Sequence, residues 1–201
     1  MRRLSVNLKR VPPALTRLIA GALKKGRVLI LPTDTIYGLS CRADDLRAVK
    51  RIYSLKKRQA SKAPIVLVSD FKQLAKYAML SGEKKAVLKK IWGEEKRPTT
   101  VILPARGLLP KAIFPPARGL ALRLPKSEFL IKIIKAVGQP LISTSLNLSG
   151  HKPLLTLKNW EKYFSVALGQ PNLVVDAGPA PRRRPSRLWD YTGSRPRLIR
   201  A

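Results

Sequence analysis

The chain of 201 residues contains one cysteine, Cys41, and one histidine, His151. A single thiol closes no intrachain disulfide, and neither a cysteine-based zinc site nor a metal motif needing two histidines can be built. Acidic residues are scarce as well: 11 Asp and Glu stand against 41 Lys and Arg, for a net charge of +30. Long apolar runs are missing, none approaching the roughly 18–20 residues that cross a bilayer. The basic start Met1-Arg2-Arg3-Leu4-Ser5 leads to Val11-Pro12-Pro13 without the apolar core of a signal peptide. These absences point to a cytoplasmic protein with no membrane partner. The GxxxxGK[ST] loop and the GxGxxG fingerprint are both absent, so the commonest nucleotide folds have no support. No Ser/His/Asp set can be picked out. His151 reads as a loop residue and Cys41 as a small core residue.

What is present is enough apolar material for a core, 45% of residues. The positive excess attracts polyanions, whether nucleic acid, nucleotide phosphates or an acidic partner. Part of it, as in Lys84-Lys85 and Lys89-Lys90, falls on a helical stretch where a solvated face is an equally good reading.

Periodicity divides the chain into mixed elements. Leu15, Leu18, Ile19 and Ala22 share a helix face that Gly26 is placed to end. Val28-Leu29-Ile30-Leu31 is a buried strand stopped by Pro32. Asp44-Asp45 begins a second helix that closes in the basic cluster Lys56-Lys57-Arg58. Further strands are expected at Ile65–Val68, Thr100–Leu103, Leu120–Leu124, from Leu141-Ile142, at Leu173–Val175 and at Leu198-Ile199. Helices are expected near residues 70–79, 83–92 and 130–137. The mixture predicts one α/β domain over residues 1–201 with a mixed sheet and no internal repeat.

Three polar clusters fall where strands end. Pro32-Thr33-Asp34-Thr35-Ile36-Tyr37-Gly38 follows the first buried strand and is placed to line a ligand crevice, or else forms an ordinary hydroxyl-capped turn. Lys56-x-Arg58 with Lys62 offers a planar fork and point charges suited to a triphosphate, or else a basic helix end. Ser143-Thr144-Ser145-Leu146-Asn147-Leu148-Ser149-Gly150 follows the Leu141-Ile142 strand with four hydroxyls and an amide. Such neutral groups orient phosphates or an amino acid, though a solvated turn uses the same residues.

In this order the clusters resemble the YrdC/Sua5 family. Its PT(D/E)(T/A)(V/I)(Y/F)G motif matches Pro32 to Gly38, its K-x-R matches Lys56-x-Arg58 followed by Lys62, and its S-T-S-A-N-x-S-G matches Ser143 to Gly150 with Leu146 for Ala. Arg123 follows the strand Leu120-Ala121-Leu122 as in the family. The closing P-S-(T)-x-x-D-x-(T)-G pattern is met by Pro185 to Gly193, and Arg200 holds the place of a final R-x-G. The chain departs from the family where W-P-G-P is usual, reading Trp92-Gly93-Glu94-Glu95-Lys96-Arg97-Pro98-Thr99-Thr100, and Gln59 replaces the proline after K-x-R.

The resemblance implies a YrdC-like α/β fold, a twisted mixed sheet with flanking helices around a concave basic cavity. It implies an L-threonylcarbamoyladenylate synthase (a nucleotidyltransferase) acting on L-threonine, bicarbonate or CO2, and ATP, with Mg2+ carried on the ATP. Lys56, Arg58, Ser145 and Asn147 would be catalytic. Arg58, Lys62, Ser145 and Arg200 would hold ATP, while Thr35, Arg123, Ser143 and Ser186 would hold threonine, Arg123 pairing with its carboxylate. The product would serve tRNA modification, with tRNA or double-stranded RNA and a tRNA-modifying complex as further partners. The length resembles the short single-domain bacterial form. The alternative implied is a YrdC-like RNA-binding paralogue without synthase activity. A carbamoyl-transfer module of hydrogenase maturation fits less well, lacking the accompanying zinc-finger and acylphosphatase-like parts.

Overall fold

The computed structural model describes residues 2–57, 63–113, 119–164, 170–180 and 185–201. Its strands are β1 (Arg2–Ser5), β2 (Leu29–Leu31), β3 (Gly38–Arg42), β4 (Ile65–Leu67), β5 (Thr99–Leu103), β6 (Leu120–Arg123), β7 (Leu141–Ser145), β8 (Leu173–Asp176), β9 (Arg187–Asp190) and β10 (Arg197–Arg200). They form one mixed sheet in the order β1-β8-β2-β3-β7-β4-β6-β5-β9-β10. The helices are α1 (Pro13–Lys24), α2 (Leu46–Lys56), α3 (Phe71–Tyr77), α4 (Gly82–Gly93) and α5 (Glu128–Val137).

Each helix begins where a local group satisfies its first amides. Side chains of Asp45, Asp70, Ser81 and Ser127 accept from the backbone N–H three residues on, at the starts of α2, α3, α4 and α5. α1 starts instead with Pro13, whose fixed φ and missing N–H suit a first helical position. α5 ends at Gly138 with φ 80°, a left-handed stop that glycine adopts without a Cβ clash.

The alternation of side chains along each strand sorts the core into two layers. Val28, Ile30, Leu39, Cys41, Val66, Val101, Leu122 and Ile142 point to one face, where they meet Val49, Ile52 and Leu55 of α2. Leu29, Leu31, Leu67, Leu141, Leu173 and Val175 point to the other, against Ile19 and Leu23 of α1 and Phe129, Ile133 and Ile134 of α5. Cys41 is accordingly a core residue, carried by β3.

On that second face the apolar pattern breaks off. Register places Ser40 beside Ser143, Gly38 beside Ser145, and Ile65 on the other side of Ser143. Continuing across, Leu67 neighbours Arg123, Ile102 neighbours Ala121, and Thr100 neighbours Leu188. The face that is leucine-rich under α1 and α5 therefore turns to Ser, Gly, Ala, Thr and Arg toward β9. Small and polar residues there give a helix little to pack against.

Three strands escape the periodicity reading. β1 is an edge strand, Arg-Arg-Leu-Ser, with one half-buried apolar residue. β3 begins within the expected loop, and β9 lies in the closing motif. β7 also runs further than expected, so Ser143, Thr144 and Ser145 belong to the strand and only the residues after them form the turn. These strands are short, and charged residues, glycine or hydroxyls interrupt their apolar pattern, which is why these boundaries are hidden.

Candidate active site

The polar stretch of the sheet is the floor of a cavity of about 560 Å³. Thr35, Arg123, Ser143, Ser145, Ser186 and Arg200 all line it. These six come from five separate segments: the loop after β2, β6, β7, the entry to β9, and β10. Lys56 and Asn147 do not line the cavity, and Arg58 and Lys62 lie outside the described residues.

The loop after β2 is built around one hydroxyl. Thr33 Oγ1 donates to the Ile36 carbonyl at 2.6 Å and accepts from the amides of Thr35 and Ile36 at 3.1 and 3.2 Å. The Thr35 hydroxyl sits 3.0 Å from it, which fixes Thr35 on the cavity wall. Tyr37 ties this loop to the one after β8. Its phenol donates to the Gly178 carbonyl at 2.6 Å and accepts from the Ala177 amide at 2.8 Å. Burial pushes that phenol up to about 12, so it stays protonated and can donate at neutral pH.

Asp34, between those two threonines, is the partner of Arg123. Its carboxylate lies 3.0 Å from an Arg123 Nη, with both side chains buried, and also accepts from the Lys126 amide at 3.1 Å. Burial pulls the Arg123 guanidinium below its ordinary range, and Asp34 opposes that pull. In the sequence Asp34 is one residue of the Pro32–Gly38 motif with no role of its own. Only the 3.0 Å approach of two residues 89 positions apart in the chain discloses one.

Lys56 occupies an unexpected place. At the last turn of α2 it is 1% exposed, and its Nζ donates to the Ser145 carbonyl, the Asn147 carbonyl (2.7 Å) and Asn147 Oδ1 (2.8 Å). An ammonium has three protons, and three oxygens receive them. Asn147 Oδ1 also accepts from the Ser145 hydroxyl at 2.6 Å, while its Nδ2 donates to the His151 carbonyl at 2.5 Å. Lys56 and Asn147 thus form a staple behind the wall that sets the direction of the Ser145 hydroxyl. His151 itself is exposed, and its carbonyl is the group that meets Asn147.

At the other end of the cavity, Arg200 donates through Nε and Nη2 to the Ser186 carbonyl at 3.1 and 2.8 Å and through Nη2 to its hydroxyl at 3.2 Å. The Ser186 hydroxyl in turn lies 2.9 Å from that of Thr100 on β5. Burial lowers the Arg200 guanidinium, and the like charges of Arg123 and Arg97 lower it further. Lys152, exposed at the edge of the cavity, adds another cation that sequence reasoning passed over. It follows the motif glycine by two residues, which was the available signal.

Among the described residues, no Asp or Glu lines the cavity. With Arg123, Arg200 and Lys152 on its walls, and Asp34 offsetting only the first, the site is electropositive and suited to an anion.

Gly38 keeps the floor open. A Cβ there would sit 2.5 Å from Ser143 Oγ, 3.3 Å from the Thr144 carbonyl and 3.4 Å from Thr33 Cγ2. Gly38→Ala is expected to displace the Ser143 hydroxyl and destabilise the fold by about 1–3 kcal/mol. Urea unfolding measures the cost, and a variant as stable as the parent would show that the floor has room to spare.

Comparison with known proteins places the whole chain. A family model described as telomere recombination, for the Sua5, YciO and YrdC proteins, matches residues 21–201. The threonylcarbamoyl-AMP synthase of Klebsiella pneumoniae is 32% identical over 171 residues, 84% of this chain and 86% of that protein. That of Pyrococcus abyssi is 31% identical over 187 residues, 92% of this chain and 53% of the relative. Among solved structures, P. abyssi Sua5 complexed with L-threonine has a TM-score of 0.88 at 28% identity, with all of this chain spanning 57% of that one. E. coli YciO, at 21% identity and a TM-score of 0.83, shares the fold over 99% of this chain and 93% of its own. With a family model matching residues 21–201 and a relative 32% identical over most of both chains, the chain belongs to the Sua5/YciO/YrdC family.

Proposed function

We propose that this chain is an L-threonylcarbamoyladenylate synthase, a nucleotidyltransferase that joins L-threonine, bicarbonate or CO2, and ATP, releasing pyrophosphate. The observation that carries the reading is the convergence of Thr35, Ser143, Ser145, Arg123, Ser186 and Arg200 on one electropositive cavity without a lining carboxylate among the described residues. Two steps are required. Threonine's amine adds to CO2 and loses a proton, giving a carbamate; a carbamate oxygen then attacks the α-phosphorus as the bond to pyrophosphate breaks.

No protein nucleophile is needed for this chemistry. What the reaction needs is charge compensation and positioning. Arg200 would face the phosphates, with the Ser145 hydroxyl oriented by the Lys56–Asn147 staple. Thr35, Ser143, Ser186 and Arg123 would hold threonine, the guanidinium meeting its carboxylate while Asp34 keeps the guanidinium in place. Arg58 and Lys62 complete the phosphate set by resemblance. Mg2+ would arrive on the triphosphate, consistent with a site built from cations and hydroxyls rather than carboxylate ligands. A volume of about 560 Å³ lies within the usual range for small-molecule sites. Transfer of the adenylate's threonylcarbamoyl group to tRNA by a separate complex in the cytoplasm would follow.

The decisive assay mixes the protein with ATP, bicarbonate and L-threonine. Pyrophosphate and a product of threonylcarbamoyl-adenylate mass are expected, both dependent on threonine. No product across varied Mg2+, pH and temperature would overturn the proposal and leave an RNA-binding relative, which the exposed lysines of α4 would suit.

A further inference from the structure

The segment from Trp92 to Thr100, where the chain leaves the family's W-P-G-P pattern, runs beside the cavity wall. Its ends are fixed: Trp92 packs on Phe71 with ring centroids 5.5 Å apart, and its Nε1 donates to the Thr99 carbonyl at 2.9 Å. From Thr99 onward the chain pairs in parallel with β9, and the Arg187 amide donates to the Pro98 carbonyl at 3.0 Å. Parallel pairing brings the residues entering β5 and those entering β9 to the same end of the sheet. Arg97 therefore meets Pro185, a residue of the cavity wall, and its Nη2 donates to the Pro185 carbonyl at 3.3 Å.

Two arginines from different elements thus hold consecutive carbonyls, Arg97 that of Pro185 and Arg200 that of Ser186. The nearby acid is engaged elsewhere: Glu95 pairs with Arg187 at 3.3 Å. No carboxylate of the chain lies within ion-pair distance of Arg97 or Arg200 among the described residues. Arg97 Nε is also buried without a hydrogen-bond partner. A buried N–H without an acceptor is costly, and two guanidiniums near each other without an anion repel. Arg97 does not itself line the cavity, and an anion held there beside Arg200 relieves the repulsion between the two guanidiniums.

We propose that Arg97 is a positioning residue for the polyphosphate end of the site, adding a second guanidinium beside Arg200 and fixing the Pro185–Ser186 wall that Arg200 grips. The charged segment would then strengthen the hold on the polyphosphate part of the nucleotide, in place of a tight turn that carries no charge. This rests on reading the cavity as a nucleotide site. The like-charge depression of Arg200 by Arg97 agrees with the arrangement.

The test uses the full chain with Arg97→Gln and Arg97→Lys. Inorganic tripolyphosphate binding, followed by thermal shift and calorimetry, reports the anion site whether or not the synthase reaction occurs. Arg97→Gln is expected to weaken tripolyphosphate about tenfold and to flatten the salt dependence of binding. Where product forms, KM for ATP should rise by a similar factor, and by more than KM for threonine, while the ligand-free Tm stays within error. Arg97→Lys should recover most of the affinity, because it keeps the charge. Unchanged tripolyphosphate affinity in Arg97→Gln would overturn the inference. So would a fall in ligand-free Tm with both KM values rising together, the mark of a plain structural brace, and so would failure of Arg97→Lys to recover affinity. Absence of synthase product with an intact Arg97 effect on tripolyphosphate would instead fault the reaction and not the anion site.

Discussion

Replacing Lys56 with methionine is expected to lower adenylate formation at least a hundredfold and to cost about 3 kcal/mol of stability or more. Methionine preserves the unbranched stem that α2 buries but removes all three N–H donors. The carbonyls of Ser145 and Asn147 and the Asn147 amide oxygen then lose their ammonium inside the fold. Hydrogen bonds from a charged donor contribute about 1.5–3 kcal/mol each, and a buried acceptor left unmade costs about 1–3. Activity falls because the Ser145 hydroxyl points where it does only through Asn147 Oδ1. Steady-state pyrophosphate release and urea unfolding on the same preparations check both effects. A phosphate-binding lysine on the cavity wall would behave differently, raising KM for ATP with little change in stability. Arginine should not rescue the variant, since a planar fork cannot reach three oxygens arranged around an ammonium.

Asp34→Asn is the second large effect. The amide keeps an acceptor for the Lys126 N–H but removes the charge that stands 3.0 Å from Arg123. Breaking a buried pair from one side costs about 3–5 kcal/mol, because the remaining charge stays desolvated. Arg123 is 4% exposed and already lowered by burial, so the guanidinium has no route to water without moving. The expected result is a loss in that range by urea unfolding, with a KM for threonine raised about tenfold as Arg123 loses its orientation. A double-mutant cycle with Arg123→Met should show the pair removed together to be less damaging than the sum of the single changes. Strict additivity would mean that the two side chains do not depend on each other.

The two predictions share a cause. Two groups of the cavity wall, the Ser145 hydroxyl and the Arg123 guanidinium, are each held through a buried charge one layer back. Lys56 sets Ser145, and Asp34 sets Arg123. Positioning of this kind matters most for a reaction whose protein contribution is orientation and charge compensation.

What the sequence determined by itself is the material and its order. The α/β class, the apolar strands around Ile30, Val66, Val101 and Leu122, and the helix faces of α1 and α5 follow from periodicity. The motif residues Thr35, Lys56, Arg123, Ser145, Ser186 and Arg200 are legible as an ordered set through the resemblance to the family, though each has an ordinary reading when taken alone. Strands β1, β3 and β9 were not legible, because each is only four or five residues long and offers at most two apolar positions. Tertiary structure alone decided which motif residues face the cavity and which brace it. Lys56 and Asp34 look alike in a sequence, each a charged residue within a motif, and only folding shows them buried behind the wall. It also decided the meaning of the divergent stretch at Trp92–Thr100. Parallel pairing of β5 with β9 brings Arg97 to Pro185, 88 residues away in the chain, and sequence spacing cannot express such a contact. The physical reason is the same in each case: periodicity encodes which residues are buried, while the partner of a buried charge is fixed by strand register between distant segments.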